Sequence, residues 1–321
     1  MKAIRIQTTG GPEVLTLQDI TLPAPAAGQV RVRHSAIGVN FIDTYFRTGL
    51  YPAPLPTGLG MEAAGVVEAL GDGVKDITIG ERVAYTSALG AYAQANNVSA
   101  DRLVKLPDSI SDETAAACLL KGMTAQYLLK RTFKVEPGQT ILFHSAAGGV
   151  GLIAGQWAKH LGATVIGTVG ADDKITLAKS HGYAHVLNLR KDDWVARVRE
   201  IAGGGLPVVY DSVGKDTWDG SLNCLAPRGM MVSFGNSSGP VPAFAPGILA
   251  SKGSLYLTRP SLAHYTITHA ELQATASDLF DVIAKGAVKI EIHQRFALAD
   301  ARAAHEALES RRTTGATILI P

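Results

Sequence analysis

Residues 145–151 read Ser-Ala-Ala-Gly-Gly-Val-Gly, and this segment restricts the possible folds of the chain more than any other. A short apolar run precedes it, and the apolar side chains between Val150 and Leu161 recur at the spacing of one helix face. Glycines at a strand-to-helix turn let a phosphate group approach the N–H groups of the helix amino terminus. The segment therefore predicts a dinucleotide-binding turn, with Gly148 and Gly151 at the last two glycine positions of G-x-G-x-x-G. A tight turn without a ligand is the alternative.

Short apolar strands alternate with helical stretches from Gly138 onward. Such alternation is typical of a parallel sheet that helices cover on both faces. The predicted strands span residues 141–144, 164–168, 185–188, 208–211, 230–234 and 254–257. These strands are enough for a complete dinucleotide-binding sheet, so we predict an α/β fold for this part of the chain.

The segments on either side of this alternating region follow a different pattern. Before Ser111 the chain has no clear helical period, and Gly and Pro separate β-prone runs at residues 3–6, 30–32 and 63–69. After residue 257 the pattern predicts a helix, a strand, a helix and a strand, at residues 270–285, 291–296, 299–310 and 316–320. We therefore predict two domains. A β-rich domain occupies residues 1–123 and is completed by about 262–321, and a nucleotide-binding domain occupies residues 124–261.

Charge and cysteine content exclude several classes of protein. The 30 basic and 28 acidic side chains leave a formal net charge of +2, which excludes a protein that wraps a polyanion by charge alone. The only cysteines, Cys118 and Cys224, cannot build a disulfide framework or an all-cysteine zinc site, and they favour a reducing compartment. The chain also shows no signal-peptide pattern and no apolar run long enough for a membrane helix. We therefore expect a cytoplasmic protein.

The end of the second predicted strand indicates which dinucleotide is bound. An NAD-specific domain places an acidic residue there to accept from the adenosine ribose, whereas this chain has Val169 and Gly170. Lys174 follows within reach of a 2′-phosphate, so NADPH is favoured over NADH. The neighbouring Asp172 and Asp173 oppose this choice because their charge would partly offset that of Lys174. An ordinary solvated lysine is the other interpretation of Lys174.

The first domain lacks a recognisable set of zinc ligands. Many two-domain dehydrogenases use a catalytic zinc, which needs three protein ligands. Residues 40–43 and 60–62 stand where a Cys and a His would be expected, and they read Asn-Phe-Ile-Asp and Gly-Met-Glu. His34 and His144 are isolated in β-prone surroundings and are interpreted as structural histidines. We therefore expect the chemistry to proceed without a metal.

Several motifs together resemble one family over essentially the whole chain. They occupy residues 138–151, 38–45, 49–52, 121–125, 209–214 and 234–239. The chain resembles the zinc-free quinone oxidoreductase (zeta-crystallin-like) branch of the medium-chain dehydrogenase/reductase superfamily. The resemblance implies a GroES-like β-rich catalytic domain, a Rossmann domain with a doubly wound parallel sheet, and an interdomain cleft where NADPH meets a quinone. It also implies a homodimer that pairs through the edge strand near 254–257.

The resemblance further implies roles for individual residues. The implied catalytic residues are Asn40, Tyr45, Tyr51 and Arg259. The implied cofactor-binding residues are Phe41, Asp43, Thr44, Thr124, Tyr127, Gly148, Gly149, Val150, Gly170, Lys174, Ser212, Phe234, Gly235, Asn236, Ser237 and Arg311. Relatives often carry a tyrosine over the adenosine phosphate where this chain has Leu189, and Arg190 is the residue expected to compensate.

The implied function is NADPH-dependent reduction of a small quinone. Hydrogen bonds from Asn40, Tyr45 or Tyr51 would stabilise the charge that develops on the quinone oxygen. Two alternatives stay open: reduction of an activated C=C bond, and a nucleotide-gated RNA-binding or structural role. The chain lacks a basic run with interleaved aromatics, so we expect no nucleic-acid partner. Neither the physiological quinone nor a one- or two-electron mechanism follows from the sequence.

Several of these residues also have purely structural interpretations. The aromatic side chains of Phe41, Tyr45 and Tyr51 would serve equally well as packing groups of a β-rich domain. Asp43 is placed to cap a helix, and Glu62 is interpreted as the partner of a buried donor rather than as a general base.

Overall fold

A computed structural model describes the whole chain, residues 1–321, and the chain divides into two compact units. The first unit contains Met1–Met123, Thr266–Ala284 and Ile290–Pro321, and the second contains Thr124–Tyr265 and Lys285–Lys289. The second unit thus extends four residues beyond the predicted end at 261. The reason is the ring of Tyr265, which stacks on Tyr127 with a centroid distance of 4.5 Å.

The strands are numbered in chain order. They are β1 (Lys2–Ile6), β2 (Thr16–Asp19), β3 (Gln29–Val39), β4 (Thr57–Gly58), β5 (Glu62–Leu70), β6 (Arg82–Thr86), β7 (Ala95–Ser99), β8 (Leu103–Lys105), β9 (Thr140–Phe143), β10 (Thr164–Val169), β11 (His185–Asn188), β12 (Leu206–Asp211), β13 (Leu225–Ser233), β14 (Tyr256–Thr258), β15 (Ile292–Ala297) and β16 (Ala316–Ile320).

The helices follow the same convention. They are α1 (Phe41–Thr48), α2 (Asp112–Tyr127), α3 (Gly149–His160), α4 (Ile175–Ser180), α5 (Trp194–Ala202), α6 (Trp218–Asn223), α7 (Gly247–Ser251), α8 (Leu262–Tyr265), α9 (His269–Ala284) and α10 (Ala301–Glu309). None of them combines the length and the apolar character that a bilayer crossing requires.

The first unit is built mainly on antiparallel β-structure. A three-stranded sheet has the order β2-β1-β4, and a larger sheet has the order β15-β16-β3-β5-β6-β8, with β7 pairing with β3 outside this path. Strand β16 pairs with β3 through Ile318 and Gly38, so the carboxyl-terminal segment completes the sheet that the amino-terminal segment begins. Apolar side chains such as Val30, Ile37 and Leu319 are fully buried in its core.

Helix α1 lies in the segment before Ser111, where the sequence shows no clear helical period. This eight-residue helix begins directly after β3, where the backbone N–H of Asn40 donates to Asp43 Oδ2 at 2.8 Å. The left-handed conformation of Gly49, with φ +82°, ends it. A helix of two turns is too short to leave a clear period in the sequence, so its caps are the only local signal.

The second unit is organised around a six-stranded parallel sheet. Its strand order is β11-β10-β9-β12-β13-β14, and helices connect the strands. Counted from the first strand of the unit, this is the 3-2-1-4-5-6 order of a dinucleotide-binding fold, so the predicted doubly wound sheet is confirmed. All of the predicted strands are present. The largest difference is at β13, which begins at Leu225 rather than 230. Strand β14 begins at Tyr256 rather than 254, because Ser254 has a positive φ of 56°.

Candidate functional site

Glu62 is the centre of a buried polar cluster in the first unit. Its side chain is fully buried, and Oε2 accepts hydrogen bonds from Asn40 Nδ2 at 2.8 Å and from Lys121 Nζ at 3.2 Å. The other oxygen, Oε1, accepts the backbone N–H of Leu120 at 2.6 Å. We call Asn40, Asp43, Glu62 and Lys121 the Asn40 cluster. Glu62 is therefore the partner of buried donors, as its structural interpretation predicted.

A glycine makes room for the carboxylate of this cluster. A Cβ atom at Gly38 would lie less than 3.0 Å from both Glu62 Oε2 and the carbonyl oxygen of Ala116. Any side chain at position 38 would therefore displace either Glu62 or helix α2. The absence of that side chain lets Glu62 bind the helix backbone at Leu120 and fix Lys121 beside it.

Asp43 lies beside Asn40 and is completely buried. Its Oδ2 accepts from the backbone N–H of Asn40 and from the hydroxyl of Tyr92, both at 2.8 Å, whereas Oδ1 has no hydrogen-bond partner. Loss of solvation raises the pKa of Asp43 to about 7, although the bonds from Asn40 and Tyr92 favour its charged form. Asp43 thus caps α1, and its implied contact with a cofactor stays a prediction.

Aromatic side chains on and after α1 contact one another edge to face. The ring of Tyr45 lies 5.7 Å from that of Phe41 and 5.2 Å from that of Tyr51, with interplanar angles of 65° and 63°. The backbone N–H of Tyr51 donates to the carbonyl of Tyr45 at 3.0 Å, which fixes the turn after the helix. The predicted residues Asn40, Phe41, Asp43, Thr44, Tyr45 and Tyr51 are therefore brought together. Next to them Leu50 is 43% exposed.

The glycine loop of the second unit forms the predicted strand-to-helix turn. The N-cap of α3 is Gly148, and the backbone N–H of Ala146 donates to Thr168 O at 2.9 Å, which ties the loop to the neighbouring strand. Residues 149–151 form the first turn of α3, so their N–H groups have no preceding helical carbonyl. A Cβ atom at Gly151 would lie under 3.0 Å from Ser145 O, so only glycine allows this approach. The turn fits a pyrophosphate.

Most of the other predicted cofactor residues lie at the carboxyl ends of the parallel strands. Ser212 follows β12, and its hydroxyl donates to Ser145 Oγ at 3.1 Å. Ser237 follows β13, and its backbone N–H donates to the carbonyl of Ser212 at 3.2 Å. Arg259 follows β14 and donates through Nη1 to the carbonyls of Ser233 and Gly235, at 3.0 and 3.1 Å. The residues 234–237 and Arg259 therefore share one sheet edge with the glycine loop, where open α/β sheets bind ligands.

The end of β10 carries the predicted 2′-phosphate site. No atom lies within 4 Å of a Cβ built on Gly170, so this position borders open space. Asp172, which opposed the choice of NADPH, accepts from Asn188 Nδ2 at 2.6 Å and is ion-paired with Lys191. The hydrogen bond from Lys191 holds the pKa of this carboxyl below its usual value. The charge of Asp172 is thus offset by Lys191, and the residues present fit a 2′-phosphorylated dinucleotide.

The positions of three predicted cofactor-binding residues do not by themselves indicate a contact with the cofactor. Thr124 and Tyr127 are buried in the last part of α2, and the ring of Tyr127 is stacked on Tyr265. Arg311 follows α10 and belongs to the first unit. The implied contacts of all three with the cofactor remain predictions.

Sequence reasoning missed four polar residues. Lys121 belongs to the Asn40 cluster, Tyr92 contacts the cluster, His305 contacts Tyr92, and Lys191 neutralises Asp172. Only Lys191 could have been found from the sequence. It lies in the loop after β11, and the loop after the neighbouring strand β10 carries Asp172. The other three lie far from Asn40 in the sequence and become visible only once the fold is known.

Two known families match different parts of the chain. The family described as "Alcohol dehydrogenase GroES-like domain" matches residues 26–108, and that described as "Zinc-binding dehydrogenase" matches residues 149–284. The first match lies in the β-rich unit. The second begins at the first residue of α3.

Full-length relatives are similar over the entire chain. A quinone oxidoreductase of Pseudomonas aeruginosa is 54% identical over 323 residues, which cover 100% of this chain and 99% of the relative. A 2-haloacrylate reductase of a Burkholderia species is 45% identical over 326 residues and 98% of each chain. The crystal structure of Escherichia coli quinone oxidoreductase complexed with NADPH is 53% identical, covers 100% of both chains and superposes with a TM-score of 0.98.

The zinc in one family description does not fit the donors of this chain. No group of three or more His, Cys, Asp and Glu side chains is placed to hold a metal ion. In the Asn40 cluster the groups that face Glu62 are an amide N–H and an ammonium, which are donors and cannot ligate a cation. Both ring nitrogens of His34 and of His144 are hydrogen-bonded inside the protein core. The residues of this chain therefore do not fit a catalytic zinc.

Proposed function

The chain belongs to the quinone oxidoreductase family, and we propose that it reduces quinones with NADPH. The observation that carries this proposal is the strand-to-helix turn at 148–150, set in a complete dinucleotide-binding sheet, with Lys174 directly before α4. The similarity to the Escherichia coli enzyme solved with NADPH supports the same cofactor here.

In this proposal the second unit holds the cofactor. The N–H groups of Gly149 and Val150 bind the pyrophosphate, Gly148 leaves room for its approach, and Lys174 pairs with the 2′-phosphate. Gly170 leaves the space that a carboxylate would fill in an NAD-specific domain. When bound, NADPH supplies the hydride from C4 of its nicotinamide.

The residues of the first unit that we propose to face the quinone are Asn40, Tyr45 and Tyr51. Glu62 occupies one of the two hydrogens on Asn40 Nδ2, which leaves the other to donate to a quinone oxygen. The bond to Glu62 also fixes the direction of the amide, so the donor is preorganised for the negative charge that hydride addition creates. Arg259 of the second unit, held by two backbone carbonyls, is the proposed cationic donor.

The direct test is a fluorescence titration with NADPH and with NADH, followed by a panel of quinones in the presence of the preferred cofactor. We expect tighter binding of NADPH and turnover of small benzoquinones. Equal affinity for the two cofactors would contradict the assigned 2′-phosphate site, and the absence of quinone-dependent NADPH oxidation would contradict the function.

Lys174→Ala is expected to weaken NADPH binding by about tenfold and to leave NADH binding nearly unchanged, because only NADPH carries the 2′-phosphate. Fluorescence titration measures both affinities. Lys179→Ala, on α4 and one turn beyond the proposed contact, is the matched control and should bind both cofactors as the natural chain does. An equal loss for both cofactors in Lys174→Ala would show that the lysine does not select the 2′-phosphate.

Replacing Tyr45 and Tyr51 together with Phe is expected to lower quinone turnover by about tenfold without changing NADPH affinity. The rings and their edge-to-face packing remain, so the change removes only the hydroxyl groups. Steady-state rates at saturating NADPH measure the effect. Unchanged rates would remove both hydroxyls from the mechanism.

Reduction of an activated C=C bond is a second candidate function, favoured by the similarity to the 2-haloacrylate reductase. Hydride addition to such a substrate also places negative charge on an oxygen conjugated with the reacting carbon, so the same donors would serve. A panel that pairs each benzoquinone with an enone and a 2-haloacrylate distinguishes the two. Higher kcat/KM for the alkenes would replace quinone reduction as the function.

We further propose a cytoplasmic homodimer that pairs through β14. This strand is at the edge of the parallel sheet, and its Tyr256 is 59% exposed. Both cysteines are buried free thiols, which suits a reducing compartment. Light scattering of the purified protein and fractionation of cells test the two parts separately.

A further inference from the structure

Asp43 is a buried acid that the proposed reduction does not use. Within the Asn40 cluster, the ammonium of Lys121 balances the carboxylate of Glu62, and the two are 3.2 Å apart. An ionised Asp43 would add a second negative charge with no cation left to balance it. The backbone N–H and the side-chain amide of Asn40 connect the two carboxyl groups, because one donates to Asp43 and the other to Glu62.

The titratable groups in and around the Asn40 cluster come from several elements. Tyr92 donates from the loop before β7, Glu62 comes from β5, Cys118 and Lys121 come from α2, and His305 and Glu309 come from α10. The remaining cation, Arg47 on α1 itself, makes two hydrogen bonds to Glu309, at 2.7 and 2.9 Å. Its charge is therefore already balanced by a partly exposed carboxylate.

A directed chain of hydrogen bonds ends on Asp43. Arg47 Nη1 lies 3.0 Å from His305 Nδ1, and a guanidinium can only donate, so the neutral ring carries its proton on Nε2. Burial and Arg47 lower the pKa of His305 to about 3, which keeps this ring neutral. Nε2–H then donates to the Tyr92 oxygen at 3.0 Å, and the Tyr92 hydroxyl donates to Asp43. Arg47 blocks proton transfer beyond His305, so the chain positions Asp43 rather than supplying it with protons.

We propose that Asp43 works in its protonated, neutral form, as a positioning residue that keeps the Asn40 cluster free of net negative charge while Asn40 donates to the reduced quinone. This inference rests on the proposed quinone reduction. Hydride addition brings two electrons and one proton to the quinone, and the resulting hydroquinone monoanion takes its second proton from water. Asp43 keeps its own proton throughout, and the free Oδ1 is the oxygen that can carry it.

The physical reason is electrostatic. Charges in this buried cluster interact through a medium of low effective dielectric constant, so an ionised Asp43 would repel the negative charge that develops on the quinone oxygen bound to Asn40. Since the pKa of Asp43 is raised to about 7, the group is protonated below neutrality and ionises above it. Quinone reduction should therefore be fast in weakly acidic solution and fall as the pH rises through about 7.

The test compares pH profiles of the single-turnover rate with 1,4-benzoquinone, for the natural chain and for Asp43→Asn. We expect the natural chain to lose roughly tenfold between about pH 6 and about pH 8.5. Asp43→Asn, whose amide mimics the protonated acid, should keep the fast rate across this range and exceed the natural chain at the alkaline end. The matched control is Asp19→Asn, which removes an exposed carboxylate of the same unit and should leave the profile unchanged.

Tyr92→Phe provides an independent variant. It removes a hydrogen bond to the charged form of Asp43, so the fall in rate should move to higher pH.

A second readout uses urea unfolding of the chain without cofactor. A carboxyl whose pKa rises from 3.8 to about 7 on folding contributes stability below pH 3.8, and this contribution is lost as the pH rises through about 7. Asp43→Asn should lack this loss.

Each possible result of these experiments either supports or overturns the proposed role of Asp43. A flat profile in the natural chain would overturn it, and so would an Asp43→Asn variant that is slow at every pH, because Asp43 would then be the proton donor itself. If Asp43→Asn does not fold, a profile that Tyr92→Phe leaves unshifted overturns the inference as well. An absence of quinone turnover at any pH would instead contradict the proposed function, and the unfolding data would still report the charge of Asp43.

Discussion

Glu62→Gln is expected to lower the free energy of unfolding by about 3–5 kcal/mol, because it breaks a buried ion pair and leaves the ammonium of Lys121 without a counter-charge. The amide would also present its own N–H groups to at least one of the three donors that Glu62 now accepts. Asn40 would lose its anchor, so quinone turnover should fall together with stability. Urea unfolding and steady-state kinetics measure the two effects.

Two further variants separate the ion pair from a general effect of the substitution. Glu68→Gln changes an exposed residue of the same strand and should alter stability by less than about 0.5 kcal/mol. The double variant Glu62→Gln with Lys121→Met removes both charges, and we expect it to recover part of the lost stability. Equal destabilisation by the single and double variants would mean that the charge of Lys121 is not the cause.

The second unit could be predicted from the sequence because its signals are local. Each parallel strand is a short apolar run, α3 has the apolar spacing of one helix face, and the alternation of strands and helices indicates a parallel sheet with right-handed crossovers. The glycine turn at 148–151 is readable for the same reason, since the residues that bind and the residues that give the turn its shape are adjacent in the chain. The strand ends are less readable, as in β13, which begins at Leu225 rather than 230.

The Asn40 cluster could not be predicted in the same way, because its contacts join distant segments. Glu62 and Lys121 are separated by 59 positions, and Arg47 and His305 by 258. Their pairing depends on the packing of α2 and α10 against the β-rich unit, and on the space that Gly38 leaves. From the sequence alone, Asp43 was interpreted as a helix cap or a cofactor ligand. Its pKa and its single unpartnered oxygen follow from burial, which no local pattern encodes.

Gly151→Ala is expected to lower NADPH affinity by roughly a hundredfold and stability by about 1–3 kcal/mol. The added Cβ would lie under 3.0 Å from the backbone atoms Ser145 O and Ala146 O, and these belong to the turn that presents the helix N–H groups. Because backbone cannot rotate away as a side chain would, the turn itself must move. The pyrophosphate would then lose the preorganised donors of 149 and 150. Fluorescence titration and thermal unfolding measure the two losses.

The control is Gly247→Ala, at the first residue of α7 in the same unit, where an added Cβ has no neighbour within 4 Å. Alanine there only improves helix propensity, so NADPH affinity should be unchanged and stability the same or slightly higher. Affinity lost equally with NADPH and NADH in Gly151→Ala would locate the effect at the pyrophosphate, which both cofactors share. Full NADPH affinity in a folded Gly151→Ala variant would mean that the turn at 148–151 does not hold the dinucleotide, and the proposed function would lose its main support.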